Sequence, residues 1–251
     1  MPSYLITGAS RGLGLGFANE LLKKKDNTVI ATARNTASSP GLQNLKQQHP
    51  DGRLILLDLD VMSADSIKAA AEATDKLLPG GLDNLISNAG VNYNGLKAFD
   101  ELIIEDLQKE INFNTTSQLL LLRALSRWYA RARARRSWSS PLDSDPSRGL
   151  PIRRTLRTGT PLPKQRLIYK LVRKYSAVLK NEGITTALLH PSWVGSTDIG
   201  NGISDWMNTY APDYENLSLE TSSANCMKVL DTLTPEANGE FFNHDGTKLA
   251  F

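Results

Sequence analysis

Residues 4–14 read Tyr4-Leu5-Ile6-Thr7-Gly8-Ala9-Ser10-Arg11-Gly12-Leu13-Gly14. The apolar start has the composition of a short buried strand. The glycine-rich end runs straight into a helical pattern, with Phe17, Leu21 and Leu22 on one face and Lys23 to Lys25 in the last turn. A strand, a glycine turn and a helix N-terminus make an anion site, because exposed backbone N–H groups and the positive end of the helix dipole face the same point. Gly8 permits the tight turn, while Gly12 and Gly14 let a pyrophosphate and the sheet come close to the backbone. The spacing is Gly-x-x-x-Gly-x-Gly rather than Gly-x-Gly-x-x-Gly, and a tight βα corner alone would also use these residues. Its place at the first strand of an alternating pattern is what marks a dinucleotide site.

That alternation continues outward. Thr28 to Ala33 reads as a second strand ending at Arg34, Arg53 to Asp58 as a third, and Leu82 to Ser87 as a fourth ending in Asn88-Ala89-Gly90. Between the third and fourth, Ser63 is placed to cap a helix with Ile67, Ala70, Ala71 and Leu77 inward. A long amphipathic helix follows from Leu102 to Leu122. The pattern resumes with a helix over Leu171–Glu182 stopped by Gly183, a strand over Ile184–Leu189 leading to His190-Pro191, a helix from Ile199 to Asn208, another over Leu219–Leu233, and a last strand over Gly239–Phe242. Strands alternating with helices predict a doubly wound parallel sheet of Rossmann type, which binds ligands at the carboxyl ends of its strands. Gly8, Ser10, Arg11, Gly12, Leu13, Gly14, Arg34, Asp60, Asn88, Ala89 and Gly90 all fall there.

The chain has 251 residues, a length that suits one domain. It is expected to form a single coenzyme-binding domain over 1–251, within which 126–168 fits no α/β pattern and 195–218 suggests a substrate lid. The single cysteine, Cys226, excludes an intrachain disulfide and suits a reducing, cytoplasmic setting. No run approaches the ~18 apolar residues of a membrane span. With the first strand starting almost at Met1, no signal or transit peptide is expected. His49 and His244 have no metal-ligand spacing, so no metal site is expected.

The net charge of +3 is local in origin. Residues 131–166 hold nine arginines and Lys164 against Asp143 and Asp145, a balance of +8 that leaves the rest of the chain at −5. An arginine run can bind a nucleic acid backbone, but only Trp128, Tyr129 and Trp138 accompany it, without a stacking pattern, so no nucleic-acid partner is expected.

These pieces together resemble the short-chain dehydrogenase/reductases, over about 1–125 and 171–251. Thr7 to Gly14 is similar to the family's coenzyme turn, Asp60-Val61 to its adenine contact, and Asn88-Ala89-Gly90 to its Asn-Asn-Ala-Gly, with Ser87 in place of the first Asn. Asn114 resembles the helix asparagine of the family's proton relay. His190-Pro191-Ser192-Trp193-Val194 with Thr197 resembles the stretch that closes over the nicotinamide, Ser192 standing where the family has Gly. Gly239-Glu240-Phe241-Phe242 followed by Asp245-Gly246 is similar to the small carbonyl reductase branch, the group that holds C-factor, sniffer and norsolorinic acid ketoreductase. The resemblance implies coenzyme contacts from these residues, including Pro191, Val194 and Thr197. It also implies hydride transfer to a small ketone or aldehyde, and pairing of subunits through the long helices flanking strand five, one of which is altered here. The lid's only charges are Asp198, Asp205, Asp213 and Glu215, which suits an uncharged carbonyl compound.

Coenzyme choice follows from charge. A fold that prefers NAD(H) places an acid at the end of strand two, whereas here that end is Ala33-Arg34, and Arg11 lies in the glycine turn. Two guanidinium groups suit a 2′-phosphate, which favours NADP(H) over NAD(H).

The family's proton donor is a Tyr with a Lys four residues on, and a Ser ending strand five holds the carbonyl oxygen. Neither motif stands between 126 and 170. Thr160 and Lys164 have the spacing, leaving Lys164 and Asn114 as the catalytic candidates; Tyr169 with Arg173 and Tyr129 with Arg133 are imitations. With no apolar run in 126–168, the central strand five is expected to be missing or disordered.

A shifted reading frame accounts for this. If each true codon takes the third base of one residue and the first two of the next, then Trp138 supplies a middle-U codon and the serines at 137, 139 and 140 can do so too, and middle-U codons are all apolar. Pro141 and Leu142 then permit Ser-Ser. Thr160 permits Tyr, and Pro163-Lys164 permit Ser-Lys, so strand five, its serine and Tyr-x-x-Ser-Lys arise in one frame. The sequence therefore reads as an NADP(H)-dependent carbonyl reductase whose Ser and Tyr are absent from this chain. The alternatives are a non-catalytic dinucleotide-binding relative and an inactive mistranslated product.

Overall fold

A computed structural model describes residues 1–93, 97, 99–125, 153–158 and 165–250. Strand β1 (Ser3–Ile6) leads into helix α1 (Gly12–Leu22), β2 (Thr28–Ala33), α2 (Pro40–Gln48), β3 (Leu54–Asp58), α3 (Ala64–Leu77) and β4 (Asn84–Ser87). Helix α4 (Ile104–Ile111) passes through a π turn at Asn112–Thr116 into helical residues 117–125. There follow β5 (Arg153–Thr158), α5 (Gln165–Asn181), β6 (Ile184–His190), α6 (Asp198–Asn201), α7 (Ser204–Tyr210), α8 (Leu219–Thr232) and β7 (Glu240–Asn243).

The seven strands form one parallel sheet in the order β3-β2-β1-β4-β5-β6-β7. Side chains alternate along β1, so Tyr4 and Ile6 join the core beneath α1, α2 and α8, with Phe17, Leu42 and Leu230. Leu5 joins the opposite core with Ile67 and Ala71 of α3 and Leu121 and Leu125. Helices on both faces explain why β1, β4 and β6 are buried on both sides. The chain winds outward from β1 to β3, then returns to place β4 on the other side of β1. That reversal opens a crevice at the carboxyl ends of β1 and β4.

The doubly wound parallel sheet is as the sequence predicts, with one correction. The central fifth strand is neither missing nor disordered: Arg153–Thr158 fills its place, paired with β4 from Asn84↔Arg154 to Ser87↔Arg157 and with β6 from Arg153↔Ile184 to Thr158↔Leu189. Side-chain patterning alone does not reveal such a strand. Ladder pairing is made by backbone groups, and the two flanking strands offer open N–H and C=O rows to a segment extended between them, whatever its side-chain pattern suggests from sequence. The run proposed from the shifted frame, residues 137–142, lies outside the described residues.

Two smaller differences concern helices. Helix α5 begins at Gln165, ahead of the expected Leu171. The lid's single expected helix is two, α6 and α7, interrupted by Gly202 and Ile203. Among the described residues no helix is long and apolar enough to cross a membrane. Ser63 caps α3 as expected, its hydroxyl accepting from Ser66 N at 3.2 Å. Cys226 is a core residue whose burial pushes its thiol up to about 12, beyond reactive range.

Candidate coenzyme site

The turn after β1 is tied to the end of β4 by Thr7 and Asn88. The fully buried Thr7 hydroxyl accepts from the backbone N–H groups of both Asn88 and Ala89, each at 3.0 Å. Asn88 Nδ2 donates to the carbonyls of Thr7 and Gly8 at 3.1 and 3.2 Å. Two strand ends that share no sequence neighbourhood are thereby locked into one surface. Glycine is required in this surface for two separate reasons. Gly8 has φ +67°, and a Cβ there would lie 2.9 Å from Ala89 Cα; a Cβ on Gly14 would lie 2.3 Å from Gly8 O.

Above this surface opens a cleft of about 640 Å³. Gly8, Ser10, Arg11, Gly12 and Leu13 line it from the glycine turn, Arg34 from the end of β2, and Asp60 and Val61 from the end of β3. Asn88, Ala89 and Gly90 contribute from β4, and Pro191, Val194 and Thr197 from beyond β6. The structure thus brings together every coenzyme residue read from the sequence except Gly14, which lies behind the turn, packed on Gly8 and Asn88. Asn114 lines the same cleft; Lys164 lies outside the described residues.

The two arginines differ in setting. Arg34 is exposed and makes no ion pair among the described residues, while Arg11 reaches across to Asp198 at 2.9 Å. Asp60 accepts from Met62 N at 2.9 Å, which closes its own loop. Asp58 holds Thr36 through backbone and hydroxyl at 2.8 and 2.7 Å, and these bonds lower its carboxyl below the usual range. The β2 loop carrying Arg34 is thereby anchored to β3.

The far wall is built on His190. Its Nδ1 accepts from Ser192 N at 2.8 Å, which bends the chain so that Ser192 takes φ +65°. A non-glycine residue in that region is strained by about 1 kcal/mol, which explains the advantage of Gly at this position. Past the bend, Trp193 Nε1 donates to Gly200 O at 3.0 Å, and the Thr197 hydroxyl donates to Val194 O at 2.8 Å while accepting from Gly200 N at 3.1 Å. Residues 193–200 therefore form a cross-tied strap rather than a loose loop. Trp206, half-exposed on α7, faces Tyr210 with ring centroids 5.5 Å apart.

Burial, with the nearby His244 as a lesser cause, lowers His190 to about 4 from the ordinary 6.5. The sign follows from linkage. The unfolded chain takes up this proton near pH 6.5 and the folded chain only near 4, so stability present above 6.5 is lost as pH falls through that window. The loss amounts to about 3 kcal/mol by pH 4. Urea unfolding at pH 7 and pH 4.5 is expected to show the fall, and His190→Gln to remove most of it. An unchanged pH dependence in that variant contradicts the assignment.

One residue of the site escapes a reading of the sequence. Glu110 is buried on α4 and accepts from Tyr93 N, and both line the cleft. One turn on, Asn114 clasps Val91 at two points, Oδ1 accepting from its N–H at 3.1 Å and Nδ2 donating to its carbonyl at 2.8 Å. The available signal was the four-residue spacing of Glu110 and Asn114, which puts both on one helix face. The Asn114 side chain is thus engaged in holding residues 91–93, and the π turn around it is the kind of irregularity that marks functional helices.

Comparison with known proteins matches this geometry. The short chain dehydrogenase family matches residues 3–135. The short chain dehydrogenase gsfK of Penicillium aethiopicum is 28% identical over the whole of both chains. The crystal structure of an NADPH-bound carbonyl reductase from chicken fatty liver superposes with a TM-score of 0.82 at 28% identity, covering 100% of this chain and 94% of that one. The carbonyl reductase Sniffer of D. melanogaster gives 0.82 at 23% identity over the full length of both chains, a likeness of fold. A glycine cradle that admits no Cβ at Gly14, set at the sheet's reversal point and facing two arginines, fits a nicotinamide dinucleotide. The chain belongs to the short-chain dehydrogenase family.

Proposed function

We propose that this cleft binds NADP(H) and that the scaffold serves reduction of an uncharged ketone or aldehyde. The observation that carries the coenzyme choice is the pair of guanidinium groups, Arg11 and Arg34, on the cleft wall, with no acid at the end of β2. A carboxylate there would bind ribose hydroxyls; the exposed Arg34 instead offers parallel N–H donors to a phosphate. The NADPH held by the chicken carbonyl reductase supports the same choice. Gly8 to Leu13 would cradle the diphosphate, Asp60 and Val61 would flank the adenine, and Pro191, Val194 and Thr197 would cover the nicotinamide. The coenzyme supplies the hydride. The protein's part is to hold the acceptor under the strap, exclude water, and deliver a proton.

The last part is what this chain lacks. Its sequence has no Tyr-x-x-x-Lys between 126 and 170, and Asn114 is engaged with Val91. The family match also stops at residue 135, within the arginine-rich stretch, which supports the reading of 126–168 as out-of-frame sequence in a reductase gene. The chain as written is accordingly a coenzyme binder without turnover.

Arg34→Asp tests the choice. Titration of coenzyme fluorescence is expected to show NADPH affinity falling about tenfold to a hundredfold, with NADH equal or tighter. An unchanged ratio of the two affinities would refute a 2′-phosphate contact at Arg34.

A further inference from the structure

The Arg11–Asp198 ion pair joins the two halves of the cleft. Arg11 is the residue immediately before α1, on the glycine turn; Asp198 is the first residue of α6, at the end of the strap. Their contact is 2.9 Å, and both side chains are largely exposed, at 77% and 67%. The same two segments come close again beside it, Thr197 Cγ2 lying 3.6 Å from where a Cβ on Gly12 would stand. Thr197 is bonded to both Val194 and Gly200, so Asp198 moves only with the strap. Helix α1 has no acid in its first turn and no side-chain cap at Arg11, and Asp198 is the one carboxylate paired with the glycine turn among the described residues.

We propose that Asp198 competes with a coenzyme phosphate for the Arg11 guanidinium, so that the strap is latched to the glycine turn until coenzyme takes Arg11 from it. This rests on the NADP(H) reading above. A carboxylate and a phosphate oxygen offer the same acceptor geometry to a guanidinium, but the phosphate carries more charge. An exposed ion pair is weak, so a phosphate displaces it at small cost. Displacement leaves Asp198 beside the arriving negative charge without its cation, which favours release of the strap. Asp198 thus sets how tightly coenzyme is held and couples its arrival to strap position.

The test uses the full chain. Binding of NADPH and NADH is measured by fluorescence titration for the wild type, Asp198→Asn, Arg11→Gln and the double variant. Amide hydrogen exchange over 195–200 is measured without coenzyme. Asp198→Asn is expected to bind NADPH about three- to fivefold more tightly, with the gain abolished in the Arg11→Gln background. A gain for NADPH alone assigns the contact to the 2′-phosphate, and an equal gain for NADH assigns it to the diphosphate. Exchange over 195–200 is expected to rise in Asp198→Asn. Equal affinities in the wild type and Asp198→Asn overturn the competition, as does a gain that persists undiminished without Arg11. Unchanged exchange overturns the latch. If no variant binds either coenzyme, the NADP(H) reading fails and this one with it, an outcome distinct from binding with equal affinity.

Discussion

The chain as written is expected to bind NADPH yet oxidise it no faster than background with any ketone or aldehyde. Replacing residues 126–168 by the sequence of the alternative frame is expected to raise turnover by at least about a thousandfold. The magnitude follows from what the restored segment adds. A phenol of ordinary pKa ~10 is a poor proton source at neutral pH, and a lysine four residues on lowers it by its charge. A positioned general acid contributes about a hundredfold to ten-thousandfold, and a serine donor aimed at the developing oxyanion adds a further large factor. Asn114 and the coenzyme cleft are common to both chains, so coenzyme affinity is expected to change far less than turnover. Steady-state NADPH oxidation beside a binding titration separates the two quantities. Comparable turnover by both chains would place the catalytic groups outside 126–168. A stop codon in the alternative frame of the gene would end the frame reading outright.

The second large effect is structural. Gly14→Ala is expected to destabilise the protein by about 3 kcal/mol or more and to abolish coenzyme binding. The added Cβ would sit 2.3 Å from Gly8 O and 2.6 Å from Asn88 Nδ2. Neither atom is free to swing aside: Gly8 O and the Thr7 carbonyl are both held by Asn88. Relief therefore requires moving the start of α1 or breaking the tie between β1 and β4. Gly52→Ala is the control. Gly52 has φ +79°, but a Cβ there would meet nothing within 4 Å, so only the left-handed penalty of about 1 kcal/mol applies. Equal costs for the two variants, measured by urea unfolding, would show that close approach at Gly14 is unimportant.

Much of the architecture was legible because its signals are local. Thr28 to Ala33 reads as a strand and is one over those same residues, since β-branched and apolar residues bounded by turns have few other uses. The coenzyme residues were legible because the fold rule places them at strand ends, and all of them but Gly14 reach the cleft wall. Arg153–Thr158 was illegible for the opposite reason. Arg-Arg-Thr-Leu-Arg-Thr carries no apolar periodicity, and its pairing is imposed by β4 and β6, far away in sequence. Glu110 is not legible because a carboxylate on an amphipathic helix reads as solvent-facing; burial against residues 91–93 is a tertiary fact. The break between α6 and α7 turns on Gly202, a residue that many helices tolerate.

The ladder on either side of Arg153–Thr158 has a broader implication. A ladder records that the peptide groups between its neighbours are extended and in register, and it says nothing of the chemistry their side chains carry. Lineage can therefore be legible in the architecture independently of the side chains that would do the chemistry. In such a molecule, shape testifies to ancestry, and competence has to be established separately, atom by atom, at the place where the proton should come from.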